Sequence, residues 1–322
     1  MRTPLISVLV PCFNVENFVD KCLSSIRNQT YKNIEVICVN DGSTDNTLEI
    51  LEKHRSLDDR IRIVSKKNSG YGHSMNIALS ESKGDYVSIV ESDDFIEADM
   101  LEKLLENAVK NDLDISKGCY FEYQEKNKLD EYIDLNFIPK NKILKPIDNP
   151  NVFRLPPSIW SAIYKKEFLT RNQILFLETP GASYQDTSFI FKCYLSADRF
   201  LMIPDAVLHY RVDNVNSSIN NSKKTYCVCD EYEEIWRFAK ASAERFDKVK
   251  TIIPLLQFST YKWNYNRLKG RLRRDFLNRF RLDFMKINES GLINIELFSR
   301  RDRKVLSEIL RKSFVIYFRN RL

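Results

Sequence analysis

The first 120 residues alternate between short apolar runs rich in β-branched residues and longer segments with apolar residues at helical spacing. The runs lie at 5–10, 34–40, 61–65 and 85–90, and the helical segments that follow them lie at 15–29, 41–55, 71–82 and 97–111. This alternation predicts βαβ units, and therefore an α/β fold with a mostly parallel, buried sheet. Asn14 is a candidate N-cap for the first helix.

Beyond residue 120 the pattern is less regular. The predicted elements are a strand pair or a flexible connection at 120–155, a helix within 156–176, a helix starting near Asp186, a strand at 206–212 and helices from about 225. The helix within 156–176 rests on the helical spacing of Trp160, Ile163, Tyr164 and Phe168.

Three suggestive stretches follow predicted strands at the point where each strand ends. They are "PCFN" at 11–14, "NDGSTD" at 40–45 and "ESDD" at 91–94. Ligands of open parallel sheets bind outside the carboxyl ends of the strands. Together the three stretches predict one ligand site at this edge of the sheet.

The ESDD segment packs three carboxylates, Glu91, Asp93 and Asp94, into four positions. Like charges so close repel and raise one another's pKa. Two of them on one side of a strand end can share a divalent cation, and Mg²⁺ often takes one or two carboxylates and completes its shell with water and substrate phosphates. The alternative is a solvated acidic turn before the next helix.

Other stretches carry candidate binding or catalytic groups. Asp41, before the tight turn at Gly42, can accept hydrogen bonds from a base or a ribose hydroxyl, or it can serve ordinary turn chemistry. The stretch 67–76 has two glycines and a helix start whose N–H groups could face phosphate oxygens, but it is neither GxGxxG nor a P-loop. Asp186, beside neutral Gln185, fits a general base or a helix N-cap.

Composition indicates an ordinary globular protein. The 322 residues are 43% hydrophobic and 29% charged, which suits one large or two modest domains. No apolar run approaches 18 residues and no cleavage pattern follows the N-terminus, so neither a transmembrane helix nor a secretory signal is expected. Seven scattered cysteines predict reduced thiols in a cytosolic protein, and the three histidines lack zinc-ligand spacing.

The C-terminal region is strongly basic. Residues 251–322 carry 17 Lys or Arg against 6 Asp or Glu, a net +11 in a chain whose total is +6. Within it, 261–284 mixes basic residues with Leu, Phe, Tyr and Trp at helical spacing. Such a segment suits a peripheral membrane helix or a helical subdomain that packs on protein. A nucleic-acid surface is the weakest of the alternatives, and no nucleic acid is expected.

Residues 4–218 resemble the family 2 glycosyltransferases, the large inverting group with the GT-A fold. "ISVLVPCFNVENFVDKCLSSIRNQTYKNIEVICVNDGSTDNT" is similar to the opening of the family, and "NSGYGHSMNIALSESKGDYVSIVESDD" is similar to its next block. The resemblance implies a Rossmann-like, mostly parallel sheet flanked by helices, in a catalytic domain at 1–222. The nucleotide-sugar half would end near residue 120, and a basic helical extension would fill 223–322.

The resemblance also implies a role for each matching residue. Those expected at the nucleotide or donor are Pro11, Phe13, Glu16, Asp41, Asn68, Gly70, Asn76, Glu91, Ser92, Asp94 and Arg211. Mn²⁺ or Mg²⁺ is expected on Asp93, with His209 as a weaker ligand candidate. Asp186 aligns with the catalytic Asp of the family, and Trp160 and Gln185 are expected on the acceptor side.

Four positions depart from the family pattern. Glu91 stands where the first Asp of a DxD motif is usual, and Gln185 stands where the family has Glu before the catalytic Asp. Ser161 and Ala162 stand where Asn-Lys is common. These departures leave the roles of Glu91 and Gln185 open and are compatible with a different acceptor.

The implied reaction is a direct displacement in which Asp186 takes the proton of an acceptor hydroxyl. An α-linked donor, expected to be a UDP-sugar, would give a β-glycoside. The acceptor would be a glycan, lipid-linked or protein-linked, in surface polysaccharide, teichoic acid, lipooligosaccharide or protein-glycan synthesis. The protein is expected to be cytoplasmic, with or without contact with the inner face of the membrane. Whether it forms a homo-oligomer is left open. The alternative is a catalytically inactive, nucleotide-binding scaffold or partner subunit.

Overall fold

The structure of the protein, a computed structural model, describes residues 3–214 and 225–311. The chain divides into two compact units, Met1–Ile219 and Asn220–Leu322. The domain boundary predicted at residue 222 and the end of the predicted resemblance at residue 218 lie outside the described residues.

A parallel half-sheet forms the first part of the N-terminal unit. Its elements are β1 (Ile6–Cys12), α1 (Val19–Arg27), β2 (Ile34–Asn40), α2 (Thr47–Leu57), β3 (Ile61–Ser65), α3 (Tyr71–Glu81) and β4 (Tyr86–Ile89). The strand order is β3-β2-β1-β4, and Ile6 of β1 pairs with Ile34 on one side and Tyr86 on the other. Every residue of β1 and β4 is buried, so their sequences are nearly continuous apolar runs. The predicted α/β fold is confirmed.

The second half of the same sheet is mixed. Its elements are β5 (Phe95–Ile96), α4 (Met100–Lys110), β6 (Ile115–Gln124), β7 (Leu129–Ile133), β8 (Ala162–Lys165), α5 (Lys166–Arg171), α6 (Gln185–Ser196) and β9 (Phe200–Arg211). From β4 the order continues β8-β6-β9-β5, with β7 paired to β6, so the described residues form nine strands in all. The strand pair that the sequence allowed after residue 120 is the β6–β7 hairpin.

The helix predicted within 156–176 is wrong for most of its length. Trp160 lies in a short 3₁₀ turn, and Ile163 and Tyr164 lie in β8. Tyr164 pairs with Val87 of β4 on one side and Ile115 of β6 on the other. A backbone that bonds to strands on both sides cannot be helical, so tertiary pairing overrides the apolar spacing. The chain becomes helical only from α5.

The C-terminal unit is helical in its described part, as the sequence predicts. Its helices are α7 (Cys227–Lys240), α8 (Ala243–Val249), α9 (Ile252–Arg267), α10 (Gly270–Glu289) and α11 (Arg300–Leu310). Phe276, Phe280 and Phe284 of α10 are buried against Phe258 and Tyr261 of α9. The apolar stripe of the basic segment is therefore used for packing inside this unit. Within residues 3–214 and 225–311, no helix combines the length and the apolar character needed to cross a bilayer.

Candidate active site

The loops that follow β1 and β2 hold each other together. Asn14 is not an N-cap: it has φ 51°, and its side-chain oxygen accepts a hydrogen bond from Thr44 N at 2.8 Å. Glu16 accepts from Asn46 N at 2.9 Å, and Glu16 N donates to Asp45 at 3.1 Å. Both loops are thereby fixed at the predicted nucleotide edge.

Two other predicted donor residues lie at the same edge. Pro11 is buried within β1, where it pairs with Val39, and Phe13 is 48% exposed just beyond the strand. An exposed aromatic ring beside a fixed loop is suited to stacking on a planar group.

Asp41 organises the segment 66–70, which we call the donor loop. Its two carboxylate oxygens accept from Ser69 N and Gly70 N, each at 2.9 Å, and Lys66 forms an ion pair with it. Asn68 is exposed at the tip of this loop. Asp41 is buried, and three donors already share its charge, so the first role of this carboxylate is to fix the donor loop.

Glycine is required where the donor loop enters α3. Gly70 has φ 96°, and a Cβ there would lie 2.8 Å from Gly181 N. At Gly72 a Cβ would lie 2.1 Å from the carbonyl oxygen of Leu177. The start of α3 therefore presses its backbone against the segment that leads to α6.

Gly72→Ala should lower stability by about 1–3 kcal/mol, because the added methyl group meets backbone that cannot move aside easily. The midpoint of urea unfolding, followed by circular dichroism, measures the loss. Ser80→Ala, at an exposed position of the same helix, is the control and should change the midpoint little. An unchanged midpoint for Gly72→Ala would contradict the close approach.

The ESDD carboxylates are each held by different partners. Tyr71 donates its hydroxyl to Glu91 at 2.6 Å, and Asn214 donates its side-chain amide to Asp93 at 2.8 Å. Asp94 accepts from Arg211 N at 2.8 Å through one oxygen. Its other oxygen is buried without a hydrogen-bond partner in the described part of the chain. Ser92 is buried beneath them, against the Cys12 thiol.

Three acids of the site, Glu91, Asp94 and Asp186, have raised pKa values. Burial, followed by the charges of Asp93 and Asp186, raises the pKa of Glu91 to about 8, although the Tyr71 hydrogen bond opposes this. Burial and Asp93 also hold the pKa of Asp94 well above its usual range. Burial raises the pKa of Asp186 to about 6. The first turn of α6 thus brings Asp186 into the field of the ESDD segment.

The residues present fit a divalent cation that shares its coordination with a ligand. Repulsion among Glu91, Asp93 and Asp94 and the unpartnered oxygen of Asp94 are both relieved by a nearby positive charge. Among the described residues, no group of three or more His, Cys, Asp or Glu side chains is arranged to hold a metal. One or two carboxylates completed by phosphate oxygens is the arrangement that Mg²⁺ usually adopts.

Arg211 contacts the ESDD segment, whereas His209 bonds to two acids outside it. Arg211 Nε donates to the carbonyl oxygen of Asp93 at 3.0 Å, and its guanidinium also pairs with Glu125. Both ring nitrogens of His209 are occupied, Nε2 by Glu97 at 2.7 Å and Nδ1 by Asp130 at 2.8 Å. A metal would therefore have to displace a carboxylate from His209, and its weak assignment as a ligand stays a prediction.

An aromatic group lies beside the acids. Trp160 stacks on Tyr210 with ring centroids 5.0 Å apart, and Tyr120 contacts Trp160 edge-on. Burial, then the charges of Asp94, Asp93, Asp186 and Glu91, raises the pKa of Tyr210 above its ordinary value. The Tyr210 hydroxyl is thus within the electrostatic reach of all four acids.

Tyr71 and Tyr210 are not among the site residues predicted from the sequence. Tyr210 stands between His209 and Arg211, so its strand position was the available signal. Tyr71 stands between two glycines at a helix start, which gives no signal for a partner 20 residues away.

The side-chain amides of Asn76 and Gln185 are hydrogen-bonded to other groups of the protein. Asn76 bonds to the backbone of Phe176 and to the Glu178 carboxylate. Gln185 donates to the Thr179 hydroxyl at 2.8 Å and accepts from Ser183 N. Their assignments to the nucleotide and the acceptor stay predictions.

The sheet, the donor loop and the acidic strand end define a class of nucleotide-dependent group-transfer sites, and the comparisons identify the family. The sequence profile of glycosyl transferase family 2 matches residues 7–169, half of the chain. The protein belongs to glycosyl transferase family 2.

Individual relatives agree with this family. The uncharacterized glycosyltransferase EpsJ of Bacillus subtilis is 32% identical over 219 residues, which cover 66% of this chain and 62% of EpsJ. The hyaluronan synthase of Pasteurella multocida is 42% identical over 110 residues, 34% of this chain and 11% of that protein. The chain thus spans less than two-thirds of these curated relatives.

The fold is shared with a solved structure. The crystal structure of Staphylococcus aureus TarS 1–349 in complex with UDP has a TM-score of 0.71, with 22% identity, over 94% of this chain and 86% of that one. This likeness shows that the two proteins share their fold.

Proposed function

We propose that the protein is an inverting glycosyltransferase that moves a sugar from a nucleotide donor to an acceptor hydroxyl. The observation that carries the proposal is that Asp186 and the acids Glu91, Asp93 and Asp94 all act electrostatically on Tyr210. A carboxylate whose pKa is raised to about 6 is suited to accept a proton near neutral pH. The family membership supports the same reaction.

In this mechanism the acceptor oxygen attacks the anomeric carbon of the donor while its proton passes to Asp186. The bond between that carbon and the diphosphate oxygen breaks, and the nucleoside diphosphate leaves. One displacement inverts the configuration, so an α-linked donor gives a β-glycoside. Asp93, with Glu91 or Asp94, would hold Mn²⁺ or Mg²⁺, which supplies positive charge where the diphosphate becomes more negative.

UDP is the proposed nucleotide, because TarS, whose fold the chain shares, is described in complex with UDP. Phe13 and the fixed loops around Glu16 would face the base, and the donor loop from Asn68 to Gly70 would line the nucleotide. A glycan acceptor is proposed because one relative is a hyaluronan synthase. Trp160 and Tyr120 are buried, so the partly exposed Tyr210, which stacks on Trp160, is the ring that would meet a sugar of the acceptor.

Cytoplasmic location and membrane contact remain part of the proposal. The apolar stripe of α10 is buried, so contact with anionic lipid would use exposed cations such as Arg271 and Arg274.

A UDP-release assay over a panel of UDP-sugars, with Mn²⁺, Mg²⁺ or EDTA, tests the function. We expect release from one sugar when metal is present, and loss of that release in EDTA. Calorimetry with UDP is the parallel measurement. UDP binding with silence across a panel that includes acceptor glycans would instead favour the inactive scaffold, and release that EDTA leaves unchanged would contradict the metal.

A further inference from the structure

The segment 172–184 connects α5 to the helix that begins with Gln185 and Asp186, and we call it the base loop. It contains no helix or strand. A loop without regular backbone pairing needs other contacts to fix its position. The position of Asp186 therefore depends on what holds this loop.

Asn76 of α3 holds the middle of the base loop. Its side-chain oxygen accepts from Phe176 N at 2.8 Å, and its nitrogen donates to Phe176 O at 3.0 Å. The same nitrogen donates to the Glu178 carboxylate at 2.8 Å. Both N–H groups and the oxygen of the Asn76 amide are thus hydrogen-bonded to the loop. The two bonds to Phe176 resemble those that a neighbouring strand would make.

Further contacts connect the same two segments. Tyr71 N donates to the carbonyl oxygen of Gly181 at 2.9 Å, beside the close approaches at Gly70 and Gly72. Because Gly70 N is bound by Asp41, the donor loop, the start of α3 and the base loop form one connected body.

Gln185 closes the last turn of the base loop. Its amide nitrogen donates to the Thr179 hydroxyl at 2.8 Å and to Gly181 O at 3.2 Å, and its oxygen accepts from Ser183 N. The side chain is buried. A Glu here, as in the family pattern, could not donate to the Gly181 carbonyl.

We propose that Asn76 and Gln185 are positioning residues that fix Asp186 by holding the base loop on α3, and that neither contacts the nucleotide or the acceptor. The inference rests on the proposed function of Asp186 as the base. On this proposal, the position of Asp186 depends on a contact between the donor half and the acceptor half of the same unit.

Asn76→Asp tests the first residue. The change keeps the size of the side chain but sets a carboxylate against the Phe176 carbonyl and the Glu178 carboxylate. We expect kcat to fall by about ten- to a hundredfold, since small misplacements of a catalytic group cost up to that much. The donor KM and the UDP affinity should stay within about twofold, and hydrogen exchange of the base loop should accelerate.

Asn107→Asp is the matched control. Asn107 also donates its amide to a backbone carbonyl, but that carbonyl belongs to Lys103 of its own helix α4 and not to the base loop. It should leave kcat and base-loop exchange unchanged. Gln185→Glu is a second variant, at the other end of the loop. It should also lower kcat and accelerate base-loop exchange while leaving UDP affinity unchanged. If Asn76→Asp does not fold, Gln185→Glu alone tests whether the loop is held in this way.

A loss of UDP affinity with unchanged base-loop exchange would make Asn76 a nucleotide contact and overturn the inference. Full activity of Gln185→Glu would do the same for Gln185. If the wild-type protein transfers no sugar from the panel, the proposed function fails, whereas exchange and UDP affinity still decide whether these two side chains hold the loop.

Discussion

Asp186→Asn should lower kcat by about 10² to 10⁴, the range that a general base contributes, while the donor KM stays nearly unchanged. The amide keeps the size of the carboxylate and its place at the start of α6, but it cannot take the acceptor proton. UDP release at saturating donor measures the effect. A large rise in the donor KM would contradict the assignment, because it would make Asp186 a donor contact.

The pH dependence gives a second test of the same residue. Burial raises the pKa of Asp186 to about 6, so the base is protonated and inactive below that pH. We expect wild-type kcat to fall as pH decreases through about 6. The residual activity of Asp186→Asn should lack this step, and an identical profile in both proteins would assign the titration to another group.

Stability should change in the opposite direction from activity. Between the ordinary pKa of 3.8 and the raised value of about 6, the folded chain binds more protons at Asp186 than the unfolded chain does. Stability therefore falls as pH rises through this window, and the ionised Asp186 still lowers it at pH 7. Asp186→Asn should therefore raise Tm at pH 7. The free energy of unfolding should increase by at most about 3 kcal/mol, since one pKa unit is worth about 1.4 kcal/mol.

Asp230→Asn is the control for this pair of effects. Asp230 lies on α7 in the other unit, and burial raises its pKa too. Its replacement should change stability slightly without changing transfer. Equal losses of transfer in both variants would indicate a general effect of removing a carboxylate.

The parts of the fold that the sequence predicts are those that local pattern determines. The strands β1, β2 and β4 are almost wholly buried, so each appears as a nearly continuous apolar run, and α3 and α4 follow with regular spacing. The ESDD segment and Asp186 could be proposed as site residues because carboxylates at a strand end and at a helix start can be recognised from the sequence alone.

The errors lie where distant contacts decide. Ile163 and Tyr164 have helical spacing, but pairing with strands on both sides makes them β8. Asn14 has the composition of a cap, but it bonds to the loop after β2. No local pattern links Asn76 to Phe176, because the two are 100 residues apart and meet only once the sheet has formed.

Asp93→Asn should weaken metal-dependent UDP binding by about a hundredfold or more, because even partners outside the coordination sphere of a metal cost ten- to a hundredfold when removed. Asp93 is partly exposed, and its known partner is the neutral amide of Asn214, so its charge is available to a cation. The amide variant keeps the shape and removes that charge. Calorimetry of UDP with Mn²⁺ and with EDTA measures the difference.

Asp213→Asn separates a ligand from a bystander. Asp213 carries a carboxylate 3.4 Å from the Arg211 guanidinium and lies outside the ESDD segment. Losing this charge changes the local potential by a similar amount but removes no ESDD carboxylate. We expect UDP binding by Asp213→Asn to keep its response to Mn²⁺, and UDP binding by Asp93→Asn to lose it. If Asp93→Asn responds to Mn²⁺ as the wild type does, the cation is not held by Asp93, and the charge cluster at the end of β4 serves the sugar or the fold instead.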